Sequence, residues 1–181
     1  MANFDLGAFQ QQISSQKAAL PPVDKWNPDF CGDIDIQIKH DGTWFYMGTP
    51  IGRKPLVKLF ASVLKREDDH YFLVTPVEKV GIQVEDAPFI ITQWQKKDSK
   101  LALTSNTGDD LIISSENPIK IFADKKTGAC LPYALVRRNL WARLHQNVFY
   151  QLAELGEEHE SNGKRHLMLN SGDYSFSLGA L

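Results

Sequence analysis

Acidic and arginine side chains are the residues of this sequence with the clearest potential for chemistry. Arg53 stands in the segment GTPIGRKP, Glu78 follows the apolar run YFLVTP, and Asp86 ends the run VEKVGIQVED. Arginine binds phosphate or carboxylate groups through paired hydrogen bonds, and a carboxylate in an apolar setting can act as an acid or a base. These positions indicate either a site for an anionic small molecule or an acid–base site.

Strand periodicity separates the two acids of the segment VEDAPF. Counting by twos along VEKVGIQVED places Asp86 on the apolar face of a strand and Glu85 on its polar face. A buried carboxylate is costly unless it is paired. We therefore expect Asp86 either to accept backbone N–H groups in a turn before the proline or to pair with a cation, for which Arg53 and Arg137 are the candidates.

The N-terminus of a predicted helix is a second feature that could bind an anion. Pro55 is a favourable first helical residue, and the apolar residues of LVKLFASVL recur at helical spacing behind it. Arg53 and Lys54 would then lie beside free backbone N–H groups at a helix N-terminus, where anions are stabilised. A solvent-exposed basic loop without a ligand is the alternative interpretation.

Arg137 is predicted to lie near the start of a long helix. This helix would run from about Leu135 to Leu155, with apolar residues recurring every four positions, and Gly156 would cap it. A cation is unfavourable at the N-terminal end of a helix dipole, so we expect an acidic partner for Arg137. A salt bridge between the two halves of the chain would satisfy this arginine without any ligand.

Composition and the other reactive residues exclude several classes of function. The 181 residues carry a formal net charge of −2, which argues against binding a nucleic acid polymer. The N-terminus lacks a basic leader, and no apolar run approaches the ~20 residues of a membrane span, so we expect a cytoplasmic protein that does not bind membranes. The histidines show no metal-ligand spacing, the segment 157–160 is interpreted as a solvated loop, and neither a metal nor a cofactor is predicted.

The first part of the chain is typical of a short helix followed by an α+β unit. A helix is predicted from Phe4 to Ala18, and the double proline that follows begins a linker. The segment IDIQIKH-DG-TWFYMG predicts a β-hairpin with a two-residue turn of positive φ at Asp41-Gly42. The helix behind Pro55 comes next, and YFLVTP then forms a second hairpin with VEKVGIQVED.

The second part of the chain predicts more strands. FIITQWQ, LALTSN and LIIS indicate a β-meander, IKIF pairs with ADKKTGACLPY, the long helix follows, and HLMLN pairs with YSFSL. We therefore expect residues 1–30 to form a helix and linker and residues 31–88 a first α+β half. Residues 89–181 would form a second α+β half with the meander, the long helix and the final strands.

The order hairpin, helix, hairpin occurs twice in this interpretation. It predicts an α+β fold of two structurally repeated halves with an intervening β-meander, in which Ile34 would correspond to Ile119 and Arg53 to Arg137. Few identities accompany the repeated order. Chance agreement of a common α+β pattern is therefore the alternative.

The motifs of this chain resemble those of the bacterial family catalogued as domain of unknown function 1285. VTPVEK, VEDAPF and PYxxVR carry the similarity, together with TSNTGDD and ENP, and it covers nearly the whole chain. The resemblance implies an α+β fold with an internal duplication and a C-terminal half loosely similar to pleckstrin-homology domains. It also implies binding of a nucleotide-like ligand between the halves, with a role in signalling, and it supplies no catalytic residues.

The family's motif positions can be carried onto this sequence as predicted ligand-binding residues. The resulting set combines arginine and lysine with carboxylate and hydroxyl groups, as a site for an anionic ligand would. Its members are Arg53, Thr75, Glu78, Lys79, Asp86, Tyr133 and Arg137.

Three hypotheses for function follow from these residues and from the resemblance. The first is a cytoplasmic ligand-binding or sensor protein in signal transduction, with an inter-domain cleft for an anionic, nucleotide-like small molecule. The second is an enzyme that acts on a phosphorylated small molecule, with Glu78 or Asp86 as its acid or base. The third is a protein-interaction scaffold that binds a partner protein at an exposed edge of the pleckstrin-like half.

Overall fold

The chain forms two compact units, Met1–Glu85 and Asp86–Leu181, in the computed structural model, which describes residues 4–14 and 20–181. Both units combine sheets with short helices, which confirms the predicted α+β class. Within the described ranges, no helix has the length and apolar character that a membrane span requires.

The N-terminal unit is built on a mixed sheet. Its strands lie in the order β3-β2-β1-β6-β5-β4, with β1 parallel to β6 and every other pair antiparallel. The elements are α1 Leu6–Ser14, a 3₁₀ turn Val23–Lys25, β1 Phe30–Ile38, β2 Trp44–Tyr46, β3 Thr49–Pro50, α2 Lys54–Ser62, β4 Leu64–Glu67, β5 His70–Val74 and β6 Lys79–Val84.

Helix α1 lies against α2 through aromatic side chains. Phe9 and Ile13 are buried, and the ring centroid of Phe9 lies 6.2 Å from that of Phe60 in α2. The helix starts at Leu6 rather than at Phe4, and the last part of the helix predicted up to Ala18 lies outside the described residues.

The predicted hairpin around Asp41-Gly42 is confirmed, but its turn is of another type. The N–H of Gly42 donates to the carbonyl of Lys39, and the N–H of Lys39 donates to the carbonyl of Thr43. His40 and Asp41 are thus the central residues of the turn, and Gly42 alone takes positive φ, at 88°. The loop is one residue longer than a two-residue turn, because a glycine in the left-handed region closes it as a bulge.

Helix α2 begins beside Pro55, as predicted, but it ends at Ser62, and Leu64 starts β4. Val63, with φ −110° and ψ 16°, leaves the helical region. Leu64 is buried as the first residue of β4, where it pairs with Leu73. The apolar spacing at the end of LVKLFASVL suits a strand start as well as a helix end.

The C-terminal unit contains two sheets and one described α-helix. The larger sheet has the order β10-β11-β12-β7-β8-β9, with β7 parallel to β12, and the smaller has the order β13-β14-β15. The elements are β7 Phe89–Lys97, β8 Lys100–Ser105, β9 Asp110–Ile112, β10 Ile119–Ala123, β11 Cys130–Arg137, β12 Leu140–Leu144, α3 Gln146–Ala153, β13 Glu157–Ser161, β14 Lys164–Ser171 and β15 Tyr174–Ala180.

The predicted duplication is confirmed, with a different correspondence between the copies. In each unit two successive meanders form one sheet, and the first strand of the first meander is parallel to the last strand of the second. The meander β7-β8-β9 is therefore not an insertion between copies, because it corresponds to β1-β2-β3. Residues 113–118 form the connection in the second copy that α2 makes in the first.

The long helix predicted from Leu135 to Leu155 is wrong. Strands β11 and β12 occupy its first half, joined by a tight turn in which Arg138 has φ 52°, and α3 spans only Gln146–Ala153. A spacing of four residues is even, so a strand also places such residues on one face. A helical face would need steps of three as well as four.

The charged segment interpreted as a loop is in fact strand β13. Its five residues are exposed and pair with β14 through a turn at Asn162-Gly163, where both residues have positive φ. Gly156 precedes this strand and does not cap a helix end at Leu155. It is a point of close approach, because a Cβ placed there would lie 2.7 Å from side-chain atoms of Leu167 and 3.0 Å from Leu169.

We expect Gly156→Ala to lower the free energy of unfolding by about 1–3 kcal/mol, because its Cβ would overpack against Leu167. Urea unfolding of the purified variant measures the change. Gly52→Ala is the matched control, since nothing lies within 4 Å of its Cβ position and its φ is not positive. Equal stability of the two variants would contradict the close packing described at Gly156.

Candidate functional site

Asp86 is buried within the C-terminal unit, with 5% of its surface exposed. One carboxylate oxygen, Oδ1, accepts the backbone N–H of Lys125 at 2.9 Å. The other, Oδ2, accepts the hydroxyl of Tyr133 at 2.8 Å and an Nη1 proton of Arg143 at 2.6 Å. Both oxygens of the carboxylate are thus occupied by protein donors.

Strand register brings the two side-chain donors of Asp86 together. Tyr133 on β11 is directly opposite Arg143 on β12, so both side chains lie on one face of the sheet. Asp86 immediately precedes Ala87-Pro88, which lead into β7, the parallel neighbour of β12. Asp86 is buried, as predicted, but it lies two residues beyond the end of β6, and its cationic partner is Arg143 rather than Arg53 or Arg137.

Tyr133 is held in its protonated form by this arrangement. The hydroxyl is buried and donates to Asp86, and burial together with the nearby carboxylate raises the pKa of Tyr133 well above its usual range. A phenol that donates permanently to a carboxylate is a structural hydrogen-bond donor.

Arg137 forms a second, partly buried network in the same unit. Its Nη1 donates to Asp109 Oδ1, and its guanidinium lies 5.0 Å from the ring centroid of Phe89. The hydroxyls of Ser105 and Thr107 donate to the other oxygen of Asp109, at 2.9 and 2.6 Å. Burial lowers the pKa of Arg137, and the carboxylate of Asp109 opposes that shift. The expected acidic partner therefore exists, although Arg137 lies on a strand rather than at a helix start.

Thr75 and Glu78 belong to the N-terminal unit, where they position α1. The hydroxyl of Thr75 donates to Gln12 Oε1 at 2.6 Å and accepts the N–H of Glu78 at 3.0 Å. The amide of Gln12 donates in turn to Glu78 Oε2 at 3.1 Å. The motif VTPVEK thus forms a turn whose side chains hold the helix against the end of β5.

Lys79 and Arg53 lie in two further environments of the N-terminal unit. Lys79 forms an ion pair with Glu67 and lies 4.3 Å from the ring centroid of Phe72. Arg53 is the exposed N-cap residue of α2, and its backbone carbonyl accepts from Leu56. Of the predicted ligand-binding residues, the structure joins Asp86 with Tyr133 and Thr75 with Glu78, and it gives Arg137 and Lys79 other partners.

A groove of about 650 Å³ lies on the C-terminal unit. We call it the C-terminal groove, and it is bordered by the β7–β8 hairpin, the segment after α3 and the sheet β13-β14-β15. Apolar side chains contribute to its lining, among them buried Leu101 and Leu169 and the 51% exposed Leu155. Groups that can bind a polar ligand also line it: Lys96, Glu157, His159, Glu160, Ser161, His166, Asn170 and Ser175.

None of the groove-lining residues was among the predicted site residues. One sequence feature indicates the hairpin that carries several of them. Asn162-Gly163, between HES and KRH, is a strong marker of a two-residue hairpin turn. The flanking residues are charged rather than alternating with apolar ones, so the pattern does not suggest a strand.

The fold and its buried networks define a class: a mixed α+β protein with an internally repeated sheet in two units. The family's N-terminal domain, described as "Domain of unknown function (DUF1285), N-terminal domain", matches residues 21–87. Its C-terminal domain, described as "Protein of unknown function (DUF1285), C-terminal domain", matches residues 88–178. The chain belongs to the DUF1285 family, which confirms the resemblance of its motifs.

Two solved structures are similar to this chain. A DUF1285 family protein from Silicibacter pomeroyi DSS-3 is 42% identical with a TM-score of 0.84, covering 99% of this chain and 97% of the other. A DUF1285 family protein from Shewanella baltica OS155 is 32% identical with a TM-score of 0.54, covering 66% of this chain and 90% of the other. No curated protein matches the chain. The looser similarity to pleckstrin-homology domains stays a prediction.

Removal of one partner from the Asp86 pair should be strongly destabilising. We expect Arg143→Met to lower the free energy of unfolding by about 3–5 kcal/mol, because it leaves a buried carboxylate without its cation. Chemical denaturation measures this. Arg165→Met is the control: it breaks an exposed pair with Glu158 and should cost at most about 1 kcal/mol. A similar small loss for both variants would contradict the structural role of Arg143.

Stability should also fall in alkaline solution because of Tyr133. Its pKa is raised in the folded protein, so its contribution is complete below the unfolded tyrosine value of about 10 and is lost as the pH rises beyond it. Urea titrations between pH 8 and pH 11 should show a shallower decline for Tyr133→Phe than for the wild type. Equal slopes would show that Tyr133 ionises in the folded state as it does in the unfolded chain.

Proposed function

We propose that this protein is a ligand-binding sensor whose C-terminal groove takes a small molecule with an apolar body and one anionic group. The observation that carries the proposal is the groove itself, a concavity of about 650 Å³ that combines apolar walls with polar side chains. Binding sites for small molecules commonly have 300–1,000 Å³ and this mixture of surfaces. A nucleotide-like ligand fits this description, with its base on the apolar wall.

Lys96 is the proposed partner of the anionic group. Lys96 lines the groove together with Asn170, whose amide oxygen already accepts the hydroxyl of Ser175. The N–H groups of that amide and of His159 and His166 are further donors. Glu157 and Glu160, on the same lining, disfavour a ligand that is anionic along its whole length.

The contacts of Glu78 and Asp86 favour a binding function over catalysis by those two groups. Asp86 already accepts three hydrogen bonds within the protein, and Glu78 accepts from Gln12. A general acid or base must reach the proton that it transfers. The two carboxylates instead support the fold around them.

A signalling role is part of the proposal, since binding without chemistry is what a sensor requires. This role is supported by the groove and by the hydrogen bonds that Glu78 and Asp86 make within the protein. The sequence-based hypotheses of a cleft between the halves and of a protein partner stay predictions, as does contact of Arg53 with the ligand.

A thermal-shift screen with nucleoside monophosphates, triphosphates and cyclic nucleotides tests the proposal. A ligand at 100 times its Kd stabilises the folded state by about 2.7 kcal/mol, which raises the Tm measurably. We expect Lys96→Ala to remove the shift that the wild type shows, because the charged partner of the anion is lost.

Lys97→Ala is the matched control, because adjacent residues of a strand face opposite sides of the sheet and Lys97 lies outside the groove lining. It should keep the wild-type shift. A shift that survives Lys96→Ala but disappears in Arg53→Ala would move the ligand to the start of α2. A flat response to every anion would overturn the proposal.

A further inference from the structure

Strands β13 and β14 bring four potential metal ligands onto one face of their hairpin. His159 is directly opposite His166, and Glu157 is directly opposite Met168. Residues two apart in a strand share a face. The two pairs therefore lie next to each other on that face and form one patch, with the pair Glu158–Leu167 between them on the opposite face, and all four side chains line the C-terminal groove.

The turn at Asn162-Gly163 keeps this register. The two residues have φ values of 53° and 75°, as the two-residue turns of β-hairpins require, and the pairing continues without a bulge from Ser161 to Glu157. Side chains directly opposite in an antiparallel pair have Cβ atoms about 5 Å apart. Two imidazoles at that Cβ separation reach one ion once their side chains turn toward it, because Zn–N distances are about 2.0–2.1 Å.

The carboxylate of this patch already lies near an imidazole. Glu157 Oε2 is 3.8 Å from His159 Nε2, and both side chains are mostly exposed to solvent. An ion could therefore enter without any rearrangement of the core. Glu158 lies on the opposite face, where it pairs with Arg165, so strand parity separates the carboxylate of the patch from its neighbour.

We propose that His159, His166, Glu157 and Met168 bind a divalent transition-metal ion such as Zn²⁺ or Cu²⁺. Imidazole nitrogen is a preferred ligand of both ions, a carboxylate supplies charge, and a thioether favours copper. The site goes beyond the proposed binding of a small molecule, because it uses only protein ligands and needs no organic molecule in the groove. It also differs from the prediction that the histidines have no metal-ligand spacing, since the hairpin joins residues seven positions apart.

Calorimetric titration of the 181-residue chain without an affinity tag tests the site, with ZnCl₂ and CuCl₂ as the probes. The wild type should bind one ion per chain in a saturable manner. His159→Gln and His166→Gln should each weaken binding on the order of 100-fold, because each removes one arm of a chelate. Glu157→Gln should weaken it less, and Met168→Leu should affect copper more than zinc.

Glu158→Gln and His70→Gln are the matched controls. Both positions are exposed, and each control removes a carboxylate or an imidazole that lies off the patch. Their affinities should stay within about twofold of the wild type. Far-UV circular dichroism of every variant checks the fold, and imidazole NMR signals of His159 and His166 should shift on addition of Zn²⁺.

Two results would overturn the proposal: the absence of saturable binding by the wild type, or wild-type affinity in the double variant His159→Gln/His166→Gln. Lys96→Ala separates this site from the small-molecule proposal. It should remove the shift caused by an anionic ligand and leave the metal affinity unchanged. These measurements would therefore distinguish a failure of the metal-site proposal from a failure of the small-molecule proposal.

Discussion

A carboxylate buried in a strand-rich unit must be paired, and the C-terminal unit is organised around this requirement at Asp86. The residue precedes β7, its hydroxyl and guanidinium donors come from β11 and β12, and a backbone donor comes from the loop after β10. The direct cross-strand pairing of Tyr133 with Arg143 presents both donors on one face. One ionic interaction thereby connects the start of the first meander of this unit with the second meander. Its loss should therefore destabilise both meanders.

The two units share the duplicated sheet and differ in the segments outside it. Each copy joins two meanders through a parallel pair of strands, so the sheet itself is the shared framework. The first copy inserts α2 between its meanders, whereas the second continues after its last strand into α3 and the sheet β13-β14-β15. The C-terminal groove and the His159–His166 patch both involve this added sheet. The features proposed to bind ligands thus involve a part of the chain that has no counterpart in the first copy.

Most strands could be predicted from the sequence, because alternation and turn residues mark them directly. Burial of Asp86 was predicted from parity along the run VEKVGIQVED, although β6 ends at Val84 and the donors to Asp86 come from the C-terminal unit. The pairing of Asp86 with Arg143 could not be predicted. Arg143 lies in a segment where apolar residues recur every fourth position, and this spacing is compatible with a helix as well as with a strand. An acidic partner of Arg137 was expected because of a helix dipole that the structure does not have, and Asp109 supplies the partner from the loop between β8 and β9. Predicting the groove would have required predicting that β13 pairs with β14. The charged residues of β13 do not alternate with apolar ones, so the sequence does not indicate this strand.

Asp86 is a structural ion-pair partner of Arg143, and a double-mutant cycle measures the strength of this pair. Urea unfolding of Asp86→Asn, Arg143→Met and the double variant gives the coupling energy of the two side chains. We predict about 2–3 kcal/mol of coupling, with the double variant no less stable than the worse single variant. Additive losses, with a coupling energy below about 0.5 kcal/mol, would contradict the account.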